Sequence, residues 1–324
     1  MRFVVNGASG FVGTALIRYL ATKGWAGTAV SRQSMETIPE GWAAVSRQAL
    51  LEQSPGTYEH DDCLVHLEVK HHVPRPQPED ERAFYDVNVG GLETWLDWCE
   101  RGGVQRVVLF SSIKAVRARE GVQDEGASGP GDTPYGASKW EAEALLRRWV
   151  ASDDRRSSLI VRPAVIYGPG NRANMFAFVS AIARNRYILV GKNANLKSVV
   201  SLANVVHAVE FLTKRMKKGV ETYNLVDRES YSVAELAALI QKELGKTGGF
   251  LQLPPWLAAV GARLGDIIEG STGKSVPLTS ARLKAVTEAS AFSADKLVKT
   301  GFRHPQTTEE GLRELVNWYL SGAK

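Results

Sequence analysis

The sequence predicts an α/β protein in which a doubly wound parallel sheet is followed by a smaller, loop-rich α/β part. Three observations carry this. From residue 2 to about 168, short β-branched runs alternate with helical patterns, as in a parallel sheet covered by helices. The first run leads at once into a glycine-rich turn and an apolar helix. Beyond Tyr167, Gly168, Pro169 and Gly170 the alternation loosens, and Pro254, Pro255, Gly265, Gly270 and Gly273 punctuate the chain.

The expected strands are Phe3 to Val5, Gly27 to Val30, Leu64 to Leu67, Val107 to Ser111 and Leu159 to Arg162, with helices near 11–22, 84–101 and 135–150 between them. Next come a helix over Met175 to Asn185, a strand over Ser198 to Leu202, a helix from Asn204 and a strand over Tyr223 to Val226. Ser232, with Glu235 three residues on, reads as a capping box opening a further helix. The expected division is a dinucleotide-binding domain over 1–168 plus about 198–226, and a substrate-binding domain over 169–197 plus 227–324.

With 324 residues, 44% of them apolar, the chain can bury a large interior. Its net charge of +5 arises from 40 basic and 35 acidic residues scattered along the sequence, so no basic stripe marks a nucleic-acid partner. The cluster Lys214, Arg215, Lys217 and Lys218 reads as a solvated helix end. Cys63 and Cys99 form neither a disulfide framework nor a metal-ligand spacing, and a cytoplasmic location is expected. The chain opens on the strand-like Arg2 to Val5, so no signal peptide is expected, and no apolar run reaches membrane-span length. Membrane insertion is not expected; surface association stays open. The eight tryptophans, Trp95 and Trp98 among them, are expected in the core.

Gly7, Gly10 and Gly13 join the first strand to the first helix, where bare backbone can approach a pyrophosphate at a helix N-terminus. This is the loop of a Rossmann-type dinucleotide site, NAD(P) being the expected cofactor, and Phe11 lies within it. Units that prefer NAD place a carboxylate at the end of the second strand. Here Ser31 and Arg32 stand instead, suited to a 2′-phosphate, so NADP is favoured over NAD. A surface arginine after a strand is the plain alternative.

Tyr135 and Lys139 lie four residues apart, on one face of a helix, and an ammonium beside a phenol is expected to lower its pKa. Tyr19 and Lys23 have the same spacing, so spacing alone does not mark a site. Tyr135 differs in context. Asp132, Thr133 and Pro134 supply a cap and a first-turn proline, and Ser111 and Ser112 end the preceding strand, where ligands bind in parallel sheets.

Taken together, the three glycines, the segment Phe110 to Lys114, the Tyr135/Lys139 pair and the run Arg162 to Gly170 resemble the extended short-chain dehydrogenases of the NAD-dependent epimerase/dehydratase family over nearly the whole chain. Within it, the Ser-Ser-Ile-Lys segment and the Tyr-Gly-Pro-Gly turn are most similar to bacterial nucleotide-sugar 4-epimerases. The resemblance implies that Ser112 holds the reacting oxygen, Tyr135 exchanges its proton, Lys139 binds the nicotinamide ribose, and Leu67 and Pro163 line the cofactor. It further implies a sugar diphosphate held by Asn174, Lys197 and Arg282, with Lys70 and His72 near the reacting sugar. The partner it implies is a small molecule, a nucleotide or carrier-linked sugar, and it allows a homodimer.

Departures from the family pattern stand out. Glu68 follows Leu67 where alanine is usual, Lys197-Ser198 replaces an arginine-led pair, and Asn204 falls where an aspartate is usual. Segment 112–117 lacks the Asp-Glu pair that sugar dehydratases use as acid and base, which argues against dehydration. His71 and His72 have no carboxylate or cysteine at ligand spacing, so no metal is expected. The leading reading is an epimerase working through a transient ketone. An NADPH-dependent carbonyl reductase is second, and a catalytically silent dinucleotide-binding regulator is third, opposed by the intact Ser112, Tyr135 and Lys139.

Overall fold

The computed structural model describes residues 1–324 apart from 33–34, 36, 53–57, 60, 72–77, 192–194, 274–275, 277, 289 and 323–324. The elements of the first half are β1 (Phe3–Asn6), α1 (Phe11–Thr22), β2 (Gly27–Ser31), β3 (Trp42–Ser46), α2 (Arg47–Glu52), β4 (Cys63–His66), α3 (Pro78–Tyr85), α4 (Gly91–Gly102), β5 (Arg106–Phe110), β6 (Val122–Gln123), α5 (Pro134–Ala151) and β7 (Ser157–Pro163). The second half holds β8 (Val165–Tyr167), α6 (Asn174–Ala183), β9 (Ile188–Val190), β10 (Leu196–Lys197), β11 (Val199–Ser201), α7 (Leu202–Thr213), β12 (Gly219–Leu225), β13 (Tyr231–Ser232), α8 (Val233–Glu243), β14 (Leu251–Leu253), α9 (Pro255–Thr272), α10 (Ser280–Thr287), β15 (Ala291–Phe292), α11 (Asp295–Lys299) and α12 (Thr308–Leu320).

Seven of these strands form one sheet in the order β12-β7-β5-β4-β1-β2-β3, every pairing parallel. The order reverses between β1 and β4, the switch point that opens a ligand crevice beyond the strand C-termini. The central strands β1 and β4 are buried at every position, so they read as continuous apolar runs rather than alternating ones. On one face α1 and α7 pack over Phe3, Val5 and Val65; on the other Trp95, Trp98, Leu146 and Trp149 pack over Val4, Leu64 and Leu109. Trp95 and Trp98 are fully buried and meet edge to face at 5.6 Å. Trp256 departs from the expected core role: it is 68% exposed.

Two details correct the sequence reading. The edge strand β3 is unannounced in the sequence, because its five residues are largely exposed and carry little apolar alternation. The expected strand near 198–202 stays outside the main sheet: Val199–Ser201 pairs with Val165–Tyr167, while Gly219–Leu225 pairs along the whole of β7. Both the Ser232/Glu235 capping box and the Ser201 cap of α7 are formed. Cys63 and Cys99 are buried free thiols. Among the described residues no helix is long and apolar enough to cross a membrane.

Candidate active site

The site is assembled at the C-terminal ends of β1, β2, β4, β5 and β7. Gly7 takes a left-handed φ of 71°, which turns the chain out of β1, and the Ala8 amide donates to Val30 O at 3.0 Å, fixing the loop to the end of β2. At Gly13 a Cβ atom would fall 2.3 Å from Gly7 O, so only glycine lets α1 start this close to the turn. The result is a bare-backbone cradle at the N-terminus of a 12-residue helix, free of acidic residues in its first turn. Such a cradle fits the pyrophosphate of a dinucleotide in shape and charge. Leu67, leaving β4, lies against Gly7, and the Phe11 ring faces Gly170 of the Tyr167–Gly170 turn.

Ser31 is buried as the last residue of β2, and Arg32 after it is exposed. Pro163 ends β7, buried and in register with Leu225.

The second cluster stands where β5 ends. Ser112 caps a short turn by accepting from the Lys114 amide, and that turn is pressed onto the start of α5: a Cβ on Gly136 would meet Lys114 O at 2.3 Å. Thr133 caps α5 by accepting from the Gly136 amide at 3.0 Å, with Pro134 in the first turn. This clamp brings Tyr135 into hydrogen bonding with Ser112, its ring edge-on to the buried Phe84 at 5.9 Å. One turn on, the buried Lys139 donates to Phe110 O at 2.6 Å.

The electrostatics differ from the expectation for a phenol beside an ammonium. Burial pushes the Tyr135 phenol up, and the Ser112 hydrogen bond only partly opposes it. Burial lowers Lys139 to about 8, and Glu143 works against that fall. With both groups desolvated and the ammonium committed to a carbonyl, the loss of solvation outweighs the lysine's charge. Tyr19 on α1 and Lys23 just past its end, at the same spacing, have Lys23 over the Tyr19 ring at 5.5 Å and Tyr19 against His207, apart from this cluster.

Several residues that hold the site together carry no sequence motif. Glu143, a further turn along α5, accepts from Ser111 Oγ at 2.6 Å and from Arg162 Nε and Nη2 at 2.9 and 2.7 Å. A fully buried ion pair thus ties α5 to β5 and β7. Asn88, in a wide π-type turn between α3 and α4, donates to Ser138 Oγ and accepts from the Lys70 amide, both at 2.9 Å. It links the segment after β4 to the helix of Tyr135. A polar residue within a helical run, where asparagine is disfavoured, was the available signal.

Glu68, the unexpected carboxylate, is drawn aside: it accepts from Arg47 and from Trp95 Nε1, each at 3.3 Å. Asn204 serves the chain's own packing, donating to Asp227 at 2.7 Å and to Gln306 O at 2.8 Å. Asp227 also accepts from the buried Tyr167 hydroxyl at 2.8 Å, so this knot joins β8, α7 and the segment before α12.

The expected sugar and diphosphate contacts are spread out. Lys70 pairs with Asp80 at 3.2 Å. Asn174 is exposed as the first residue of α6. Lys197, on β10 opposite Tyr231, lies near enough to Lys114 for repulsion to add to burial in lowering its pKa. Arg282 on α10 pairs with Glu269 of α9 at 3.9 Å. His72 lies outside the described residues.

Comparison with known proteins gives a consistent picture. A model of the NAD-dependent epimerase/dehydratase family matches residues 3–225. N-acetyl-α-D-glucosaminyl-diphospho-ditrans,octacis-undecaprenol 4-epimerase of Escherichia coli O157:H7 is 31% identical over 98% of this chain and 95% of its own. UDP-glucose 4-epimerase of Vibrio cholerae is 25% identical over the same shares. In fold, the chain is similar along its full length to UDP-glucose 4-epimerase from Thermus thermophilus in complex with NAD, with a TM-score of 0.74 at 20% identity over all of both chains.

Proposed function

The chain belongs to the NAD-dependent epimerase/dehydratase family, and from that premise we propose that it is a 4-epimerase of a nucleotide-linked or carrier-linked sugar, acting through a transient ketone. The observation that carries this reading is the Ser112–Tyr135 hydrogen bond one helical turn from Lys139, beside the glycine cradle. Both relatives compared in sequence are 4-epimerases, one of a diphospho-undecaprenol-linked sugar.

Gly7, Gly10, Phe11 and Gly13 would hold the pyrophosphate of NAD(P), Ser31 and Arg32 its adenine-side ribose, and Lys139, Leu67 and Pro163 its nicotinamide half. When bound, the dinucleotide supplies a reversible acceptor of hydride. The chain's own residues handle the proton. Ser112 orients the sugar hydroxyl, and Tyr135 Oη takes its proton as a carbonyl forms, then returns it to the oxygen of the inverted centre. A phenol raised by burial holds its proton firmly at neutral pH, so charge from the bound state, with Lys139 released from Phe110 O, has to lower it before proton exchange. Lys70, His72, Asn174, Lys197 and Arg282 are assigned to the sugar and its diphosphate. Segment 112–117 adds no carboxylate to serve an elimination.

For the dinucleotide itself we favour the phosphorylated form. Arg32 is exposed beside Ser31 at the end of β2, and neither of these two positions carries the carboxylate that would repel a 2′-phosphate. The decisive experiment supplies UDP-linked and undecaprenyl-diphosphate-linked sugars, follows reduced nicotinamide by absorbance and analyses the sugar. Epimer formed without net consumption of cofactor is expected. Turnover that consumes one reduced cofactor per product and yields no epimer would replace this reading with a carbonyl reductase.

A further inference from the structure

Helix α9 is built inside out. Its small residues Ala258, Ala262 and Gly265 are buried, so closely that a Cβ on Gly265 would meet Leu278 O at 1.9 Å. Its large apolar residues face out: Trp256, Leu257, Val260, Leu264, Ile267 and Ile268 are each 40–68% exposed. At roughly 100° per residue these six fall within an arc of about 120° on one side of the helix. The charges are sorted as well. Asp266 accepts from the Ser280 amide at 3.2 Å and Glu269 pairs with Arg282, which turns both carboxylates toward α10. The charged residue flanking the apolar arc is the exposed Arg263.

We propose that this face of α9 rests on an anionic lipid surface. An apolar stripe with an aromatic residue at one end and a cation at its edge is the pattern of a helix lying in the headgroup region. The stripe is about 20 Å long and about 10 Å wide, a footprint on the order of 200 Å². Sequestering both carboxylates while leaving Arg263 beside the stripe matches a negative surface. The packing of α10 on α9 gives the contact a use. It places Arg282, assigned above to a diphosphate, one helix away from the lipid, so a sugar diphosphate on a polyprenyl carrier could reach the site while its chain stays in the bilayer. This last step rests on the epimerase reading; the lipid contact does not.

The test floats full-length protein with vesicles of phosphatidylethanolamine and phosphatidylglycerol, with neither cofactor nor sugar present. Wild type should float with the vesicles. The double variant Leu264→Glu/Ile267→Glu should bind about tenfold more weakly or worse, with unchanged circular dichroism and dinucleotide binding. Arg263→Glu should weaken flotation only when phosphatidylglycerol is present. Wild type left at the bottom of the gradient overturns the proposal, as does a double variant that floats undiminished. A wild-type dimer in gel filtration that ignores vesicles and is split by the double variant overturns it in favour of a second copy of the chain. Epimerisation of UDP-sugars should be untouched by the double variant, and that of a vesicle-borne polyprenyl-diphosphate sugar reduced. Absence of any epimer from either substrate, with flotation intact, would count against the epimerase reading alone.

Discussion

Lys139 Nζ donates to the carbonyl of Phe110 at 2.6 Å, so the ammonium is moored to the last residue of a central strand rather than to the phenol one turn before it. The bond is one of the ties between α5 and the end of β5. It also gives the lysine a partner that is neutral, leaving the charge itself available to a ligand arriving over the strand end.

Tyr135→Phe is expected to lower turnover by about 10²–10⁴-fold, the span of a lost general acid–base group, while cofactor affinity changes little. Tyr19→Phe, at the same spacing to a lysine but on α1, should be nearly silent. Steady-state rates and cofactor titration of both variants check this; greater damage from Tyr19→Phe would move the active site elsewhere.

Lys139 titrates at about 8 because burial outweighs Glu143. Its charge is therefore present below that pH and lost as pH rises through it. Dinucleotide affinity of cofactor-stripped protein should fall between about pH 7 and about pH 9, ahead of the usual lysine range. Lys139→Met should bind more weakly at the lower pH and show little of this slope. Calorimetric titration across the range is the measurement, and an equal slope in the variant would assign it to another group.

Glu143→Leu leaves the buried Arg162 guanidinium without its two-pronged partner and Ser111 without its acceptor. A loss of about 3–5 kcal/mol of stability is expected from such a break. The pair replaced together, Glu143→Leu/Arg162→Leu, should lose less than the sum of the single changes. Denaturant unfolding of the three variants decides; strict additivity would show that the two residues do not act as a unit.

Arg32→Ala should cost NADP about tenfold in affinity, near 1.4 kcal/mol, and leave NAD almost unchanged. Titration of both dinucleotides into stripped wild type and variant tests it. Tighter binding of NAD by the wild type would assign Arg32 to the solvent-exposed surface alone.

What the sequence by itself determined is what local chemistry dictates. The glycine turn after β1, the Thr133 cap with Pro134 behind it, the helical phase that stacks Tyr135 over Lys139, and the unbroken apolar runs of buried parallel strands all depend on neighbours within a few residues. The sheet could be anticipated from them, and so could the strand ends where the glycine cradle and Ser112 lie. Only the tertiary structure decided which distant groups meet. It placed Glu143 between Ser111 and Arg162, drew Glu68 aside to Arg47, set Asn88 between Lys70 and Ser138, and sent Val199–Ser201 to pair with Val165–Tyr167 rather than with the main sheet. It also reversed two local expectations. Tyr135 is raised rather than lowered, and Trp256 faces outward although Trp95 and Trp98 fill the core. Desolvation and facing are properties of the packed neighbourhood. A sequence states which side chains a helix carries, but the balance of burial against charge, and the choice of which helical face is covered, exist only once other elements have closed over it.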